Sequence, residues 1–172
     1  MIRHVSQWFR AYGFADVEDG LIIGAYPMDG EDVAMLNFMR VQRVLNLVED
    51  EEYPPGSREV VQAALAQAGI EEHRLGLTDF GGLPAAALEQ AVELVNTWLD
   101  EGVRTYMHCR AGRQRSAAVA AGVIAVRHAV NIDEAVALVQ MRKPSADPLP
   151  HQRDDLRQWW ETRQQRVTRR TA

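Results

Sequence analysis

The residue pattern predicts one α/β domain over residues 1–172, with a central, mostly parallel sheet flanked by helices. Two observations predict it. Short apolar, strand-like runs alternate with amphipathic helical stretches, the order expected when crossover helices join parallel strands. No repeat, low-complexity stretch or linker divides the 172 residues, a length suited to a single core.

The elements follow in order. Leu21–Ala25 is a short apolar strand ending at Tyr26-Pro27. Glu31–Arg40 is a helix with Val33, Leu36 and Met39 on one face. Arg43–Val48 is a strand, and acidic, proline-containing Glu49–Gly56 is a loop. Ser57–Gln67 is a helix closed by Gly69, and Glu72–Leu77 is a strand. Thr78–Leu83 is a loop with two glycines. Pro84 opens the next helix, where its missing N–H costs nothing. That helix has Leu88, Val92, Val95 and Leu99 as its core stripe and ends at Gly102. Val103–Met107 is a strand, residues 108–115 form a polar turn, and Ser116–Val126 is apolar nearly all round, hence a buried helix. Asn131 and Glu134 have the spacing of a capping box for a helix reaching about Lys143. After a loop with three prolines, the last helix carries Leu156, Trp160, Arg163 and Val167 on one stripe.

Composition removes several classes. A net charge of −5 argues against a basic nucleic-acid binder. No apolar run approaches 18 residues, so no transmembrane segment is expected. Charges and aromatics occupy the N-terminus where a signal peptide needs an apolar block. One cysteine allows no internal disulfide and no cysteine-rich zinc site. The five histidines are scattered, so neither metal nor other cofactor is expected. These features point to the cytoplasm. No oligomeric state is specified.

Chemistry concentrates in VRTYMHCRAGRQRSA, Val103 to Ala117. It places Cys109 at a strand end and Arg115 six residues later, where a helix starts. Free N–H groups and the helix dipole favour an anion there. Gly112 lets the turn aim successive amides of His108, Arg110, Ala111, Arg113 and Gln114 at one centre. A thiolate at Cys109 is favoured by those amides. A fall in its pKa from about 8.5 to about 5.5 would supply only about 2 kcal/mol. Phosphate monoesters need acceleration on the order of 20 kcal/mol. Most of it must come from amides and a guanidinium holding the equatorial oxygens, for which the planar fork of Arg115 is suited. Ser116 is placed to donate to the sulfur as it leaves, and His108 to orient the loop. Cys-x5-Arg alone is a weak signal. Requiring His, Gly and Ser at their positions as well lowers chance agreement to on the order of 10⁻⁴ to 10⁻⁵. The bland alternative is a buried cysteine beside a solvated arginine cluster.

Asp79, 30 residues before Cys109 on a loop with Gly81 and Gly82, is the candidate proton donor, swinging over the pocket on those glycines. The competing reading is a turn cap. Asp100 and Glu101 are rivals expected at the wrong end of the following strand. Arg110 and Arg113 suit a substrate with extra phosphate or headgroup charge, or form a solvated rim that steers anions. Glu51 and Glu52 either fix a loop arginine or make a solvated acidic loop. Gln152 either places a water or, as preferred, sits on a helix surface. Ile2, Val5, Phe9 and Tyr12 share a helical face beside Arg3 and Arg10, which packs on its own domain or rests on a membrane surface. Arg163, Arg166, Arg169 and Arg170 form a solvated helix end or meet anionic lipid.

HCRAGRQRS resembles the HCx5R[ST] signature of the protein tyrosine phosphatase superfamily. Thr78 and Phe80 flank Asp79 without the tryptophan of the tyrosine-specific branch, so the resemblance is to the dual-specificity branch. It implies Cys109 as nucleophile, Arg115 as phosphate clamp, Ser116 as the hydroxyl assisting phosphoenzyme breakdown and Asp79 as general acid. Further pieces are similar to the mitochondrial-type phosphatidylglycerophosphate phosphatases: LIIGAYP, EEY, AGIEEHRL, Asp79–Pro84 as D-x-x-G-x-P, and IDEAVALVQMRK. Gln114 departs from that pattern, standing where a small residue is usual. The implied activity is hydrolysis of a phosphate monoester through phosphocysteine, on a lipid headgroup phosphate or, alternatively, a phosphoprotein. A rhodanese-like sulfurtransferase and a non-catalytic phosphate-binding module are the more remote readings. Ser116 and Asp79 argue against the first, and the pairing of nucleophile with acid argues against the second.

Overall fold

The computed structural model describes residues 4–172. Five strands form one sheet: β1 (Phe14–Glu18), β2 (Leu21–Gly24), β3 (Arg43–Asn46), β4 (Glu71–Arg74) and β5 (Thr105–His108). Their spatial order is β1-β2-β5-β3-β4. All neighbours are parallel except the β1–β2 hairpin. Seven helices cover the faces: α1 (Gln7–Tyr12), α2 (Gly30–Phe38), α3 (Ser57–Gln67), α4 (Ala85–Asp100), α5 (Arg115–His128), α6 (Ile132–Arg142) and α7 (Pro150–Thr171), with a 3₁₀ turn at Asp50–Glu52.

Strand alternation divides the core in two. Leu21, Ile23, Leu45 and Met107 face α4 to α7, whereas Ile22, Val44 and Tyr106 face α1 to α3. The hairpin strand β1 is not foreseen from sequence, because Asp16, Glu18 and Asp19 obscure its alternation; only Val17 is buried. The α4 stripe comprises Leu88, Ala91, Val92, Val95 and Trp98 in place of Leu99. Trp98 packs on His73 at 4.9 Å and carries the Arg43 guanidinium at 5.5 Å. The α7 stripe is likewise shifted, with Gln152, Leu156 and Trp159 buried. Trp159 rather than Trp160 enters the core because its Nε1 donates to Glu89 at 2.5 Å. Arg163 and Arg166 pair with Glu89, so half of the terminal basic run ties α7 to α4; Arg169 and Arg170 are exposed.

The parallel strands β2, β5 and β3 end in register at Gly24, His108 and Asn46. Everything that follows β5 at this edge therefore lies at the carboxyl ends of the strands, where α/β sheets bind ligands. The N-terminal helix packs on its own domain beside that edge. Phe9 is buried, and buried Asp32 accepts from Ser6 N at 2.8 Å and Ser6 Oγ at 2.6 Å. Ile2 and Arg3 lie outside the described residues.

Candidate active site

Cys109 follows β5 directly and Arg115 opens α5, so the loop between them is suspended from a strand end and a helix start. Its other contacts fix its height. Tyr26 N donates to Arg110 O at 3.1 Å, and Asp147 N donates to Arg113 O at 2.6 Å. Gly112 has φ +68°, and a Cβ there would lie 2.7 Å from the Gly24 Cα and carbonyl oxygen. Glycine thus supplies both the left-handed turn and the close approach to β2.

The thiol is 2% exposed, and its Sγ lies 3.3 Å from Ser116 Oγ. Burial pushes its pKa up. The Arg115 guanidinium, the Ser116 hydroxyl and the amides of Ser116 and Gln114 outweigh that and leave it below the ordinary thiol value. His108 is buried beneath the loop and its Nδ1 donates to Cys109 O at 3.1 Å. Burial depresses its pKa to about 4, so the ring is neutral and orients the loop without charging it. Its Nε2 has no hydrogen-bond partner among the described residues. Buried Lys143 donates to Ser145 Oγ at 2.7 Å.

Arg115 is held from three sides. Glu52 takes it in a two-pronged pair, Oε2 from Nη1 at 2.8 Å and Oε1 from Nη2 at 2.6 Å. Leu77 O accepts from Nη1 at 2.8 Å. Asp79 Oδ1 lies 3.1 Å from Nη2. Burial raises the Glu52 pKa, but the Arg115 hydrogen bonds and the Glu49 amide bring it below the usual carboxylate value. Of the two expected acidic residues, only Glu52 reaches the arginine; Glu51 is exposed. Tyr53 behind Glu52 lies between the guanidiniums of Arg58 and Arg74, at 5.5 and 5.9 Å, and its hydroxyl accepts from Asn46 Nδ2 at 2.6 Å.

The cleft above Cys109, about 230 Å³, is lined by Asp79, Arg115, Gln114, Arg110 and Arg113, with Trp8, Tyr12 and Phe80 at its mouth. Gln114 thus forms part of the wall. Trp8 Nε1 donates to Arg110 O at 2.9 Å, and its ring packs on Tyr12 at 4.4 Å, tilted by 44°, and faces the Arg110 guanidinium at 5.4 Å. The Trp8–Tyr12 pair has i,i+4 spacing; sequence reasoning placed Tyr12 on the face it shares with Phe9 but passed over Trp8. Asp100 and Glu101 lie elsewhere, paired with Arg127 and Arg43.

Two expectations about the loop that carries Asp79 need correction. Gln152 is fully buried rather than on a helix surface, with its Nε2 donating to Gly81 O at 3.2 Å. The diglycine segment is pinned rather than loose, because His151 Nε2 also donates to Phe80 O and Gly81 O, both at 3.1 Å.

The family model for the dual specificity phosphatase catalytic domain matches residues 21–162. The chain belongs to this family. It is a cysteine phosphatase, which sets aside the sulfurtransferase reading. Among curated relatives it is 25% identical over 144 residues to phosphatidylglycerophosphatase and protein-tyrosine phosphatase 1 of Mus musculus, covering 83% of this chain and 74% of that one. The Homo sapiens counterpart is also 25% identical over 144 residues, at 83% and 71% coverage. The crystal structure of PTPMT1 superposes with a TM-score of 0.78 and 22% identity over 91% of this phosphatase and 99% of that chain. PTPMT1 in complex with PI(5)P gives 0.74, with 22% identity over 92% and 99%. Tk-PTP in its active form gives 0.76, with 20% identity over 86% and 96%.

Proposed function

We propose that this phosphatase hydrolyses the monoester phosphate of an amphiphilic lipid headgroup, working at a membrane surface, through a phosphocysteine at Cys109. The thiolate attacks phosphorus. The S–P bond forms as the ester P–O bond breaks, and Asp79 gives its proton to the departing oxygen. Arg115 and the loop amides hold the equatorial oxygens, with Glu52 keeping the guanidinium in plane. The Asp79 contact occupies the Nη2 donor that a two-pronged phosphate would take, so substrate entry releases the carboxyl for acid work. Water then attacks phosphorus, the Asp79 carboxylate takes its proton, and the Ser116 hydroxyl donates to the leaving sulfur.

The lipid reading rests on one observation. The mouth of the cleft combines aromatic side chains, Trp8, Tyr12 and Phe80, with the guanidiniums of Arg110 and Arg113, and Phe80 is 64% exposed. Aromatic residues beside cations suit the boundary between headgroup phosphates and acyl chains. No helix of the described residues is long and apolar enough to span a membrane. Resemblance to a relative named for phosphatidylglycerophosphatase activity, and to a structure holding PI(5)P, supports the reading. The same relative is named for protein-tyrosine phosphatase activity, which keeps phosphoprotein as the second reading.

Initial rates should be compared on phosphatidylglycerophosphate and phosphoinositides in mixed micelles and on phosphotyrosine and phosphoserine peptides. Cys109→Ser and Asp79→Asn serve as controls. Lipid kcat/KM should exceed peptide values, with Cys109→Ser inactive on all. Peptide turnover without lipid turnover overturns the lipid assignment, and an active Cys109→Ser overturns the nucleophile.

A further inference from the structure

Asp79 sits on a turn that has little to hold it locally. Gly81 N donates to Thr78 O at 2.9 Å, and Phe80 takes the left-handed conformation, φ +57°, which disfavours a bulky residue. Outside the turn, the first two helical turns of α7 make a group of contacts that converge on the segment just after Asp79. His151 Nε2 faces two carbonyl oxygens, Phe80 O and Gly81 O, so that nitrogen carries the proton. Gln152 uses both ends of its amide: Oε1 accepts from Leu149 N at 3.0 Å, and Nε2 donates to Gly81 O at 3.2 Å. Asp155 Oδ2 accepts from Leu83 N at 2.8 Å. A Cβ on Gly82 would stand 3.2 Å from the same Asp155 oxygen, so the loop lies close against the helix.

These contacts do not touch the cleft. His151, Gln152 and Asp155 are absent from its lining, whereas Asp79 and Phe80 are in it. Gln152 is fully buried, where an unmatched amide would be costly, so its two bonds define one orientation. The base of the loop is fixed separately: Leu77 N donates to Leu47 O at 3.0 Å and Leu77 O accepts from Arg115. Asp79 is thereby suspended between an anchor shared with the phosphate clamp and an anchor on α7.

We infer that His151, Gln152 and Asp155 form a strap that positions the general acid, with Gln152 as its buried member. The inference rests on Asp79 being the acid. The strap holds the Phe80–Leu83 segment so that the Asp79 carboxyl stays over the cleft beside Arg115. Leaving-group protonation then needs only a small displacement of the side chain and no loop closure.

Gln152→Glu is the sharpest probe. It keeps the oxygen that caps Leu149 N and replaces the donor to Gly81 O with an oxygen that repels it. A general acid contributes about 10²- to 10⁴-fold, and small misplacements remove much of that. The measurement is kcat/KM across substituted phenyl phosphates of increasing leaving-group pKa, for wild type, Asp79→Asn, Gln152→Glu, Asp155→Ala, Asp155→Asn and the Asp79→Asn/Gln152→Glu double variant. Gln152→Glu should lose about ten-fold or more on the poorest leaving groups and much less on p-nitrophenyl phosphate. Its leaving-group slope should steepen toward that of Asp79→Asn. It should bind vanadate at least as tightly as wild type. Asp155→Ala should behave similarly, Asp155→Asn should recover most of the loss through its own carbonyl oxygen, and the double variant should fall no further than Asp79→Asn. A loss equal across all leaving groups, or a wild-type slope in Gln152→Glu, overturns the strap. A flat slope in Asp79→Asn itself overturns the acid assignment instead.

Discussion

His108 is a histidine kept neutral by burial. Its Nδ1–H orients the backbone at Cys109, and no carboxylate is among the groups hydrogen-bonded to its ring. The unfolded chain holds a histidine near the ordinary 6.5, against about 4 in the fold. A depressed pKa contributes stability that is fully present above 6.5 and is lost as pH falls toward 4, because the unfolded state takes the proton first. Between pH 7 and pH 4.5 the loss should be on the order of 2 to 3 kcal/mol. In His108→Asn, whose amide donates in place of Nδ1 without titrating, this component should vanish. Urea unfolding at both pH values checks it; parallel losses in the two proteins would sink the idea. The residues that the structure gathers in the turn between β5 and α5 were legible as a group because each has a chemical reason to be its type at its spacing: Cys109, Arg115, Ser116, Gly112. The supporting residues were not. Nothing in the sequence distinguishes Glu52 from Glu51, and only the 3₁₀ turn at Asp50–Glu52 decides which carboxylate meets Arg115. Gln152 looks like any polar residue near a helix start until the Phe80–Leu83 segment is laid against it.

At the scale of elements, α5 shows what the apolar pattern conveys and what it hides. A helix buried from Arg115 to Ala125 was readable as such, since no face is polar. Its neighbours were not. Gly122 is the point where α4 and α7 close on it: a Cβ there would lie 2.8 Å from Val92 Cγ2 and 3.3 Å from the Trp159 ring. This contact involves Trp159, whose turn toward the core through Glu89 the periodicity of α7 did not reveal. Helices α4 and α7 each carry more apolar residues than one stripe can hold, so tertiary packing chose Trp98 over Leu99 and Trp159 over Trp160. Strand β1 was missed for a related reason: edge strands bury little and tolerate charge. Gly122→Ala should gain about 1 kcal/mol in helix propensity and lose about 1 to 3 kcal/mol to overpacking. The Tm should therefore fall by a few degrees, about 2–4 °C per kcal/mol at this size. A raised Tm would mean that the α4–α5–α7 junction yields more easily than its distances indicate.

For the whole molecule, net charge and local charge point in opposite directions. At −5 the protein as a body is repelled by an anionic surface, yet the face that holds Cys109 presents Arg110 and Arg113. On the proposed lipid reading, such a molecule would approach an anionic membrane productively in one orientation, the one that brings the Cys109 cleft to the lipid. Electrostatics alone would give a weak, salt-sensitive encounter. Exposed Phe80, which lines the same cleft as Trp8 and Tyr12, would add an apolar contact. Burying an aromatic side chain contributes about 1.5–3 kcal/mol, so partial insertion of Phe80 should be worth about ten-fold in interfacial affinity. Phe80→Asn is the suitable variant, because asparagine accepts the left-handed backbone that Phe80 occupies. The ratio of turnover on lipid phosphate in anionic vesicles to turnover on a soluble aryl phosphate should fall about ten-fold in Phe80→Asn. The salt dependence of vesicle turnover should survive in that variant and weaken in Arg113→Ser. A ratio unchanged by Phe80→Asn would mean that the lipid reaches Cys109 without insertion of the loop. An unchanged salt dependence in Arg113→Ser would assign the steering to other cations, such as Arg169 and Arg170 at the far end of α7.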